Sequence, residues 1–333
     1  DRPPRTRSPQ TFDFVTMNEK HEKLSESIDG NKIGCTNPSK VDNSRQGVDE
    51  LDAAPQFVSA DHSGRDDPFY HMRHAKRGFA IIFKHDEYEP WTGNKPRNCA
   101  SYDAEECKKT FETLGFEVIE YNNRGREQFE EDLENISKLD LDNCDCLAVI
   151  FMSHGSYDEY DNKEYIWLKD GKVLTSTLWN GFTADKCEQL AGKPKLFFIQ
   201  ACRGGKTEKG ITLKKGLNVT TDSIDSRKLK DDYTIPFHSD MLIMWASYPE
   251  MVSFRRNVDN PGIKGSVFLH FLSQVLRRDY GTEDLSSMLL TVTRNVAIYY
   301  KSNCVEKILN NKKQTPYTVS TLMRKVFFGK NQD

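Results

Sequence analysis

Four short apolar stretches constrain the fold of this chain most: Phe79–Phe83, Cys146–Met152, the run within Lys195–Ala201, and Met241–Ser247. An unbroken run of this length suits a strand buried on both faces, and such strands belong to parallel sheets covered by helices. Phe116–Tyr121 reads as a further strand and Thr315–Phe328 as a closing one, while Asp170-Gly171 between β-type residues marks a hairpin. Between the strands lie helical patterns. Asp103-Ala104-Glu105-Glu106 reads as an N-cap with an acidic N3, and Gly115 as the matching stop. Arg126–Leu139, Leu174–Leu190 (interrupted at Gly181), Ser266–Arg278 and Asp284–Tyr300 read as further helices. This alternation predicts an α/β sandwich of three layers, with a mostly parallel six-stranded sheet between helices.

Charge and apolar content are distributed unevenly. Residues 1–68 hold 9 Lys/Arg and 13 Asp/Glu but only 12 scattered large apolar residues. Such a segment cannot offset its ordering entropy by burial, so it is expected to be a disordered pro-segment. Residues 1–16 precede the first methionine, Met17, and read as a processing remnant or an added leader. Residues 206–233, with 7 Lys/Arg and 5 Asp/Glu, form a polar stretch too long for an ordinary loop, and read as a linker. The expected division is therefore a pro-segment (1–68), a first catalytic part (69–205), a linker (206–233) and a second catalytic part (234–333).

A formal net charge of −3 supplies no basic excess for nucleic acid. No apolar run has the roughly 18 residues of a membrane span, and no apolar leader marks secretion. The 8 cysteines form no zinc-type CxxC pair and are too sparse for a disulfide scaffold, so a reducing, cytoplasmic setting is expected without metal or cofactor.

The chemistry concentrates in Gln200-Ala201-Cys202-Arg203-Gly204 at the end of one strand and Ser153-His154-Gly155 at the end of another. In an open parallel sheet the carboxyl ends of the strands line the ligand crevice. If the two strands are neighbours, His154 can stabilise a Cys202 thiolate and later protonate a leaving amine. A lone strand-end cysteine is more often a small core residue, and a lone histidine a satisfied polar one. The five-residue motif together with a histidine 48 residues upstream is what departs from chance.

That pattern resembles the caspases, and the resemblance extends over about residues 69–329. Thr92-Gly93-Asn94-Lys95-Pro96-Arg97 followed by Asp103 is similar to the family's first substrate loop. Met152-Ser153-His154-Gly155 is similar to its catalytic-histidine strand, Gly192-Lys193-Pro194-Lys195 to the lead into its catalytic-cysteine strand, and Ser253-Phe254-Arg255 to its second substrate loop. The resemblance implies a cysteine endopeptidase that cleaves after Asp and is made as a zymogen that executes apoptosis. Cys202 would be the nucleophile and His154 the acid–base, oriented by the Lys95 carbonyl. The N–H groups of Gly155 and Cys202 would form the oxyanion hole. Arg97, Gln200, Ser253 and Arg255 would hold the P1 aspartate, and two guanidiniums suit a desolvated carboxylate. The active form would be a dimer of large-plus-small units paired near Thr318–Phe328.

Several positions depart from the family pattern. Cys99 and Ala100 stand where it commonly has small residues such as Gly-Thr. Arg256 replaces an Asn and Val267 a Trp beside the expected P2–P4 pocket, which Phe254 also lines, and Asn257–Gly262 lengthens the adjoining loop. Arg256 would favour an acidic P4 residue, and Val267 would leave a wider pocket. These departures motivate a second reading, a weakly catalytic homologue that regulates or decoys caspases or their inhibitors. Retention of Cys202, His154, Arg97, Gln200 and Arg255 argues for the enzyme.

The chain also carries sites that such an enzyme could cut. Glu26-Ser27-Ile28-Asp29, Asp49-Glu50-Leu51-Asp52 and Asp222-Ser223-Ile224-Asp225 share one pattern, each ending in Asp before a small residue, and Asp222 offers a competing cut. All fall in segments expected to be flexible, where proteases act. A cut after Asp52 would expose Ala53-Ala54-Pro55-Gln56, which resembles the N-terminal tetrapeptides bound by BIR domains of inhibitor-of-apoptosis proteins.

Overall fold

Burial on both faces makes the apolar runs the centre of one sheet. The computed structural model describes residues 63–210, 235–256, 262–304 and 306–329. Asp29, Asp52, Ala53, Asp222 and Asp225 lie outside the described residues. In chain order the strands are β1 (Lys76–Lys84), β2 (Glu117–Asn122), β3 (Cys144–Met152), β4 (Gly155–Asp158), β5 (Lys163–Trp167), β6 (Lys172–Leu174), β7 (Lys195–Gln200), β8 (Met241–Trp245), β9 (Arg255–Arg256), β10 (Gly265–Ser266) and β11 (Tyr317–Ser320). The helices are α1 (Ala100–Thr113), α2 (Arg126–Ser137), α3 (Val267–Asp279) and α4 (Leu285–Tyr299).

The main sheet is six-stranded in the order β11-β8-β7-β3-β1-β2, parallel except for β11. Every residue of β3, β7 and β8 is buried, whereas the edge strands β2 and β11 are largely open. Alternate residues serve opposite layers, as the period of a strand requires. Ala80, Ile82, Ala148, Ile150 and Phe198 meet α1, α3 and α4 on one face. Phe79, Ile81, Phe83, Val149 and Phe151 meet α2 and the segment carrying Leu178, Phe182 and Leu190 on the other. The expected three-layer sandwich is the observed one.

The start of β7 is pinned by two buried lysines. Lys193 Nζ donates to the carbonyls of Leu141 and Asp142, and Lys195 Nζ to those of Leu190 and Lys193. Burial pushes the Lys195 ammonium down to about 8. These bonds tie the strand that ends at the motif to the loop ahead of β3.

Three expectations are corrected. Leu174–Leu190 is not a helix but two single 3₁₀ turns, Thr175–Leu178 and Glu188–Leu190. Its buried residues have near-helical spacing, but Ala184 N–H bonds outward to the Phe237 carbonyl rather than along a helix. Asp103 does not cap α1; it lies inside the first turn, buried, after Cys99 as N-cap. Thr315–Phe328 pairs as a strand only over Tyr317–Ser320, after which Val326 and Phe328 turn into the core under α1, α3 and α4.

Gly78 marks the closest approach of β1 to β3. Its φ is +124°, and a Cβ there would overlap the Cys146 carbonyl oxygen. Gly78→Ala combines backbone strain with a backbone clash, so a loss of about 2 kcal/mol or more is expected. Urea unfolding should show a lowered midpoint, and an unchanged midpoint would contradict the register described here.

Candidate active site

The register of β3 on β7 builds the site. Met152 stands opposite Gln200, and Ser153 N–H donates to the Gln200 carbonyl at 3.1 Å. Two residues beyond each of these partners come His154 and Cys202, at the carboxyl end of adjacent strands. Gly155 then packs so closely that a Cβ on it would overlap the Cys202 carbonyl oxygen and reach 3.0 Å from Ala201 Cβ. Only glycine lets the histidine segment lie directly on the cysteine segment.

His154 Nε2 lies 2.8 Å from the Lys95 carbonyl, which leaves Nδ1 as the other titrating nitrogen. Burial holds the imidazole below its ordinary range, against the pull of that carbonyl, and the cations Arg255 and Arg97 push the same way as burial. Cys202 Sγ accepts the Ser253 N–H at 3.4 Å and lies 3.5 Å from Ser253 Oγ. Gln200 Nε2 donates to Ser253 Oγ at 3.1 Å. The expected second substrate loop is thus seated on the end of β7.

Arg97 is 2% exposed and donates from Nη1 to the His85 carbonyl at 3.0 Å, with no ion pair among the described residues. Burial disfavours its charge, and the neighbouring Arg255 cation adds to the effect. A buried guanidinium with no ion-pair partner, next to a second cation and only partly offset by the Asp103 charge, is costly unless an anion arrives. The two arginines are held through Asp103. β9, which is Arg255–Arg256, pairs with β10, and the Asp103 carboxylate accepts the Ser266 N–H at 2.9 Å and its Oγ–H at 2.5 Å. Arg97 immediately precedes the same helix, its carbonyl accepting the Ala100 N–H at 2.9 Å. Sequence patterning missed this clasp because an acid near a helix start looks like a cap.

The residues expected along the P2–P4 pocket differ in burial. Val267 is fully buried and donates its N–H to the Phe254 carbonyl at 3.1 Å, and Phe254, 8% exposed, stacks on Tyr300 at 5.6 Å. Both side chains pack with the core under α3 and α4. Arg256 alone of the three remains accessible. Its guanidinium lies over the Tyr300 ring at 5.4 Å and donates to the Lys301 carbonyl at 3.1 Å.

Comparison with known proteins places this geometry. The caspase domain family matches residues 77–328, which spans nearly all of the described fold. The chain belongs to the caspase family. It is 34% identical over 279 residues to caspase-1 of Spodoptera frugiperda, covering 84% of this chain and 87% of that protein. It is also 34% identical over 259 residues to caspase-7 of Gallus gallus, covering 78% and 79%. The crystal structure of the Spodoptera frugiperda caspase-1 superposes with a TM-score of 0.71 at 33% identity, covering 81% of this chain and 98% of that one. This caspase is therefore a cysteine-type endopeptidase, and the regulator reading is not favoured.

Close packing at Gly155 yields a test. Gly155→Ala must push the histidine segment off Cys202, and displacements of about 1 Å can cost roughly 10²-fold in rate. Peptidase activity should fall by about that factor with far-ultraviolet circular dichroism unchanged. Retained activity would mean the two segments are not in contact.

Proposed function

We propose that this caspase cleaves protein substrates after aspartate, with Arg97, Arg255, Gln200 and Ser253 as the P1 site and Cys202 and His154 as the reacting pair. The observation that carries the reading is the buried, ion-pair-free Arg97 near Arg255 and His154, with His154 at the end of the strand next to that of Cys202. A P1 carboxylate supplies the missing anion through charge-assisted bonds. The scissile carbonyl then lies over Cys202. The thiolate sulfur adds to the carbonyl carbon, and the N–H groups of Gly155 and Cys202 receive the developing oxyanion. The C–N bond breaks as His154 gives its proton to the amine, leaving a thioester. Water, deprotonated by His154, releases the acid and restores the thiol.

The zymogen reading rests on the sequence. Cuts after Asp29 and Asp52 would remove the front, and cuts after Asp222 or Asp225 would divide the chain into a large part with His154 and Cys202 and a small part with Arg255. Resemblance supports an executioner role in apoptosis and a dimer of large-plus-small units, for which the β11 edge, with Val319 41% exposed, is a suitable seam. Binding of a BIR domain to a new N-terminus at Ala53 is part of the same proposal. A cytoplasmic location is supported by the free state of all 7 described cysteines. No helix among the described residues is long and apolar enough to cross a membrane. Arg256 would favour an acidic P4 residue.

Two outcomes are expected. Against Asp-P1 fluorogenic peptides, Cys202→Ala should show no turnover above background. Arg97→Ala should lower kcat/KM by about 10²-fold or more, since removing one partner of a buried charged pair costs about 3–5 kcal/mol. Equal turnover by Arg97→Ala would remove the P1 assignment. The pH profile gives the second outcome. Burial and the two cations disfavour the imidazolium, so neutral His154 persists to lower pH than an ordinary imidazole. The acid limb of kcat/KM should therefore lie below about pH 6.5. A limb above that value would contradict the described surroundings of His154.

A further inference from the structure

The loop after β1 places one hydroxyl among the groups that hold the histidine. Tyr88 Oη accepts the backbone N–H of His154 at 3.2 Å, and its ring lies 5.1 Å from the His154 ring. The same hydroxyl lies 2.8 Å from Ser153 Oγ and 3.1 Å from the His85 carbonyl. The direction of these bonds follows from counting hydrogens. Ser153 Oγ is 2.5 Å from the Trp167 carbonyl, an acceptor, so the serine hydrogen is committed there. The single Tyr88 hydrogen is then left for the His85 carbonyl or Ser153 Oγ, both within its reach. Trp167 N–H closes the loop by donating to the His154 carbonyl at 3.0 Å.

The result is a closed network: His154 N–H donates to Tyr88 Oη, Tyr88 Oη lies against Ser153 Oγ and the His85 carbonyl, Ser153 donates to the Trp167 carbonyl, and Trp167 N–H donates to the His154 carbonyl. It fixes both backbone polar groups of the histidine. The His85 carbonyl links this network to the P1 site, because it also accepts from Arg97 Nη1 at 3.0 Å. His85 itself is fully buried, with its ring 5.2 Å from Phe151. Tyr88 is only partly enclosed at its ring, but its hydroxyl faces inward to these partners. A phenylalanine would keep the ring contact and lose every one of the polar ones.

We propose that Tyr88 is a positioning residue for peptide hydrolysis, its hydroxyl fixing the Ser153–Gly155 backbone so that the His154 imidazole and the Gly155 N–H stay aimed at Cys202. This rests on the reading of His154 and Cys202 as the reacting pair. Among the described residues Tyr88 makes no hydrogen bond to the His154 ring or to Cys202, so its effect is expected on the chemical step more than on binding. Loss of alignment by a fraction of an ångström is enough to slow that step.

The test compares full-length wild type, Tyr88→Phe, Ser153→Ala and the double variant, after the same activation, on an Asp-P1 fluorogenic peptide, with Cys202→Ala as background. Tyr88→Phe should lower kcat about tenfold while KM changes less than twofold and the thermal midpoint stays close to wild type. The double variant should cost no more than the worse single one, because one network is broken either way. Unchanged kcat in Tyr88→Phe, a change confined to KM, or additive losses that track the thermal midpoint would each overturn the proposal. Wild-type turnover equal to the Cys202→Ala background would instead reject the reading of the reacting pair. In that case the rate of Cys202 alkylation by iodoacetamide at pH 7 still decides for Tyr88. A several-fold slower rate in Tyr88→Phe supports it, and an equal rate overturns it.

Discussion

The in-register parallel pairing of β3 with β7 is the constraint on which the rest depends. It brings Met152 and Gln200 opposite each other, so that His154 and Cys202, the proposed reacting pair, follow two positions later at the same edge. Neighbouring strands lie about 4.8 Å apart, so side chains that follow paired positions come out side by side. A slip by one residue would turn every core side chain to the wrong face as well as separating the pair. The dense burial of Val149, Phe151, Phe197 and Ile199 therefore protects the chemistry as much as the fold.

Electrostatics supplies the second half of the site. Arg97 and Arg255 come from segments far apart in sequence, yet the Asp103 clasp on Ser266 ties the supports of both to α1. Two cations held close together and partly withdrawn from water form a place where an anion is stabilised and a neutral side chain is not. Their field also reaches His154. An anion held by Arg97 and Arg255 would thus also act on the protonation state of His154.

The readable parts of the sequence were those governed by local rules. β1, β3, β7 and β8 stand out because strands buried on both faces have unbroken apolar runs, and the Asp170-Gly171 turn joins β5 to β6 as its residues require. Cys202 and His154 were legible through a short motif and a spacing. The parts that needed the structure depend on contacts between distant segments. Asp103 imitates a cap, and only Ser266 reveals its partner. Leu178, Phe182 and Leu190 imitate a helical stripe while following an irregular path. Phe254 and Val267, beside the P2–P4 pocket by resemblance, also pack with the core under α3 and α4, which no local pattern signals. Tyr88 is a single aromatic in a loop, and no local pattern signals that its hydroxyl meets the backbone of His154.

The central claim is that the buried Arg97 guanidinium, with the exposed Arg255 beside it, makes this caspase select a P1 carboxylate. The most direct measurement is the ratio of kcat/KM for two peptides that differ only in Asp or Asn at P1. The two side chains match in shape and differ in charge. A site built around Arg97 and Arg255 predicts a preference for Asp of about 10³-fold or more, in line with other sites that leave polar groups unpaired by the wrong substrate. A ratio near one would contradict the account.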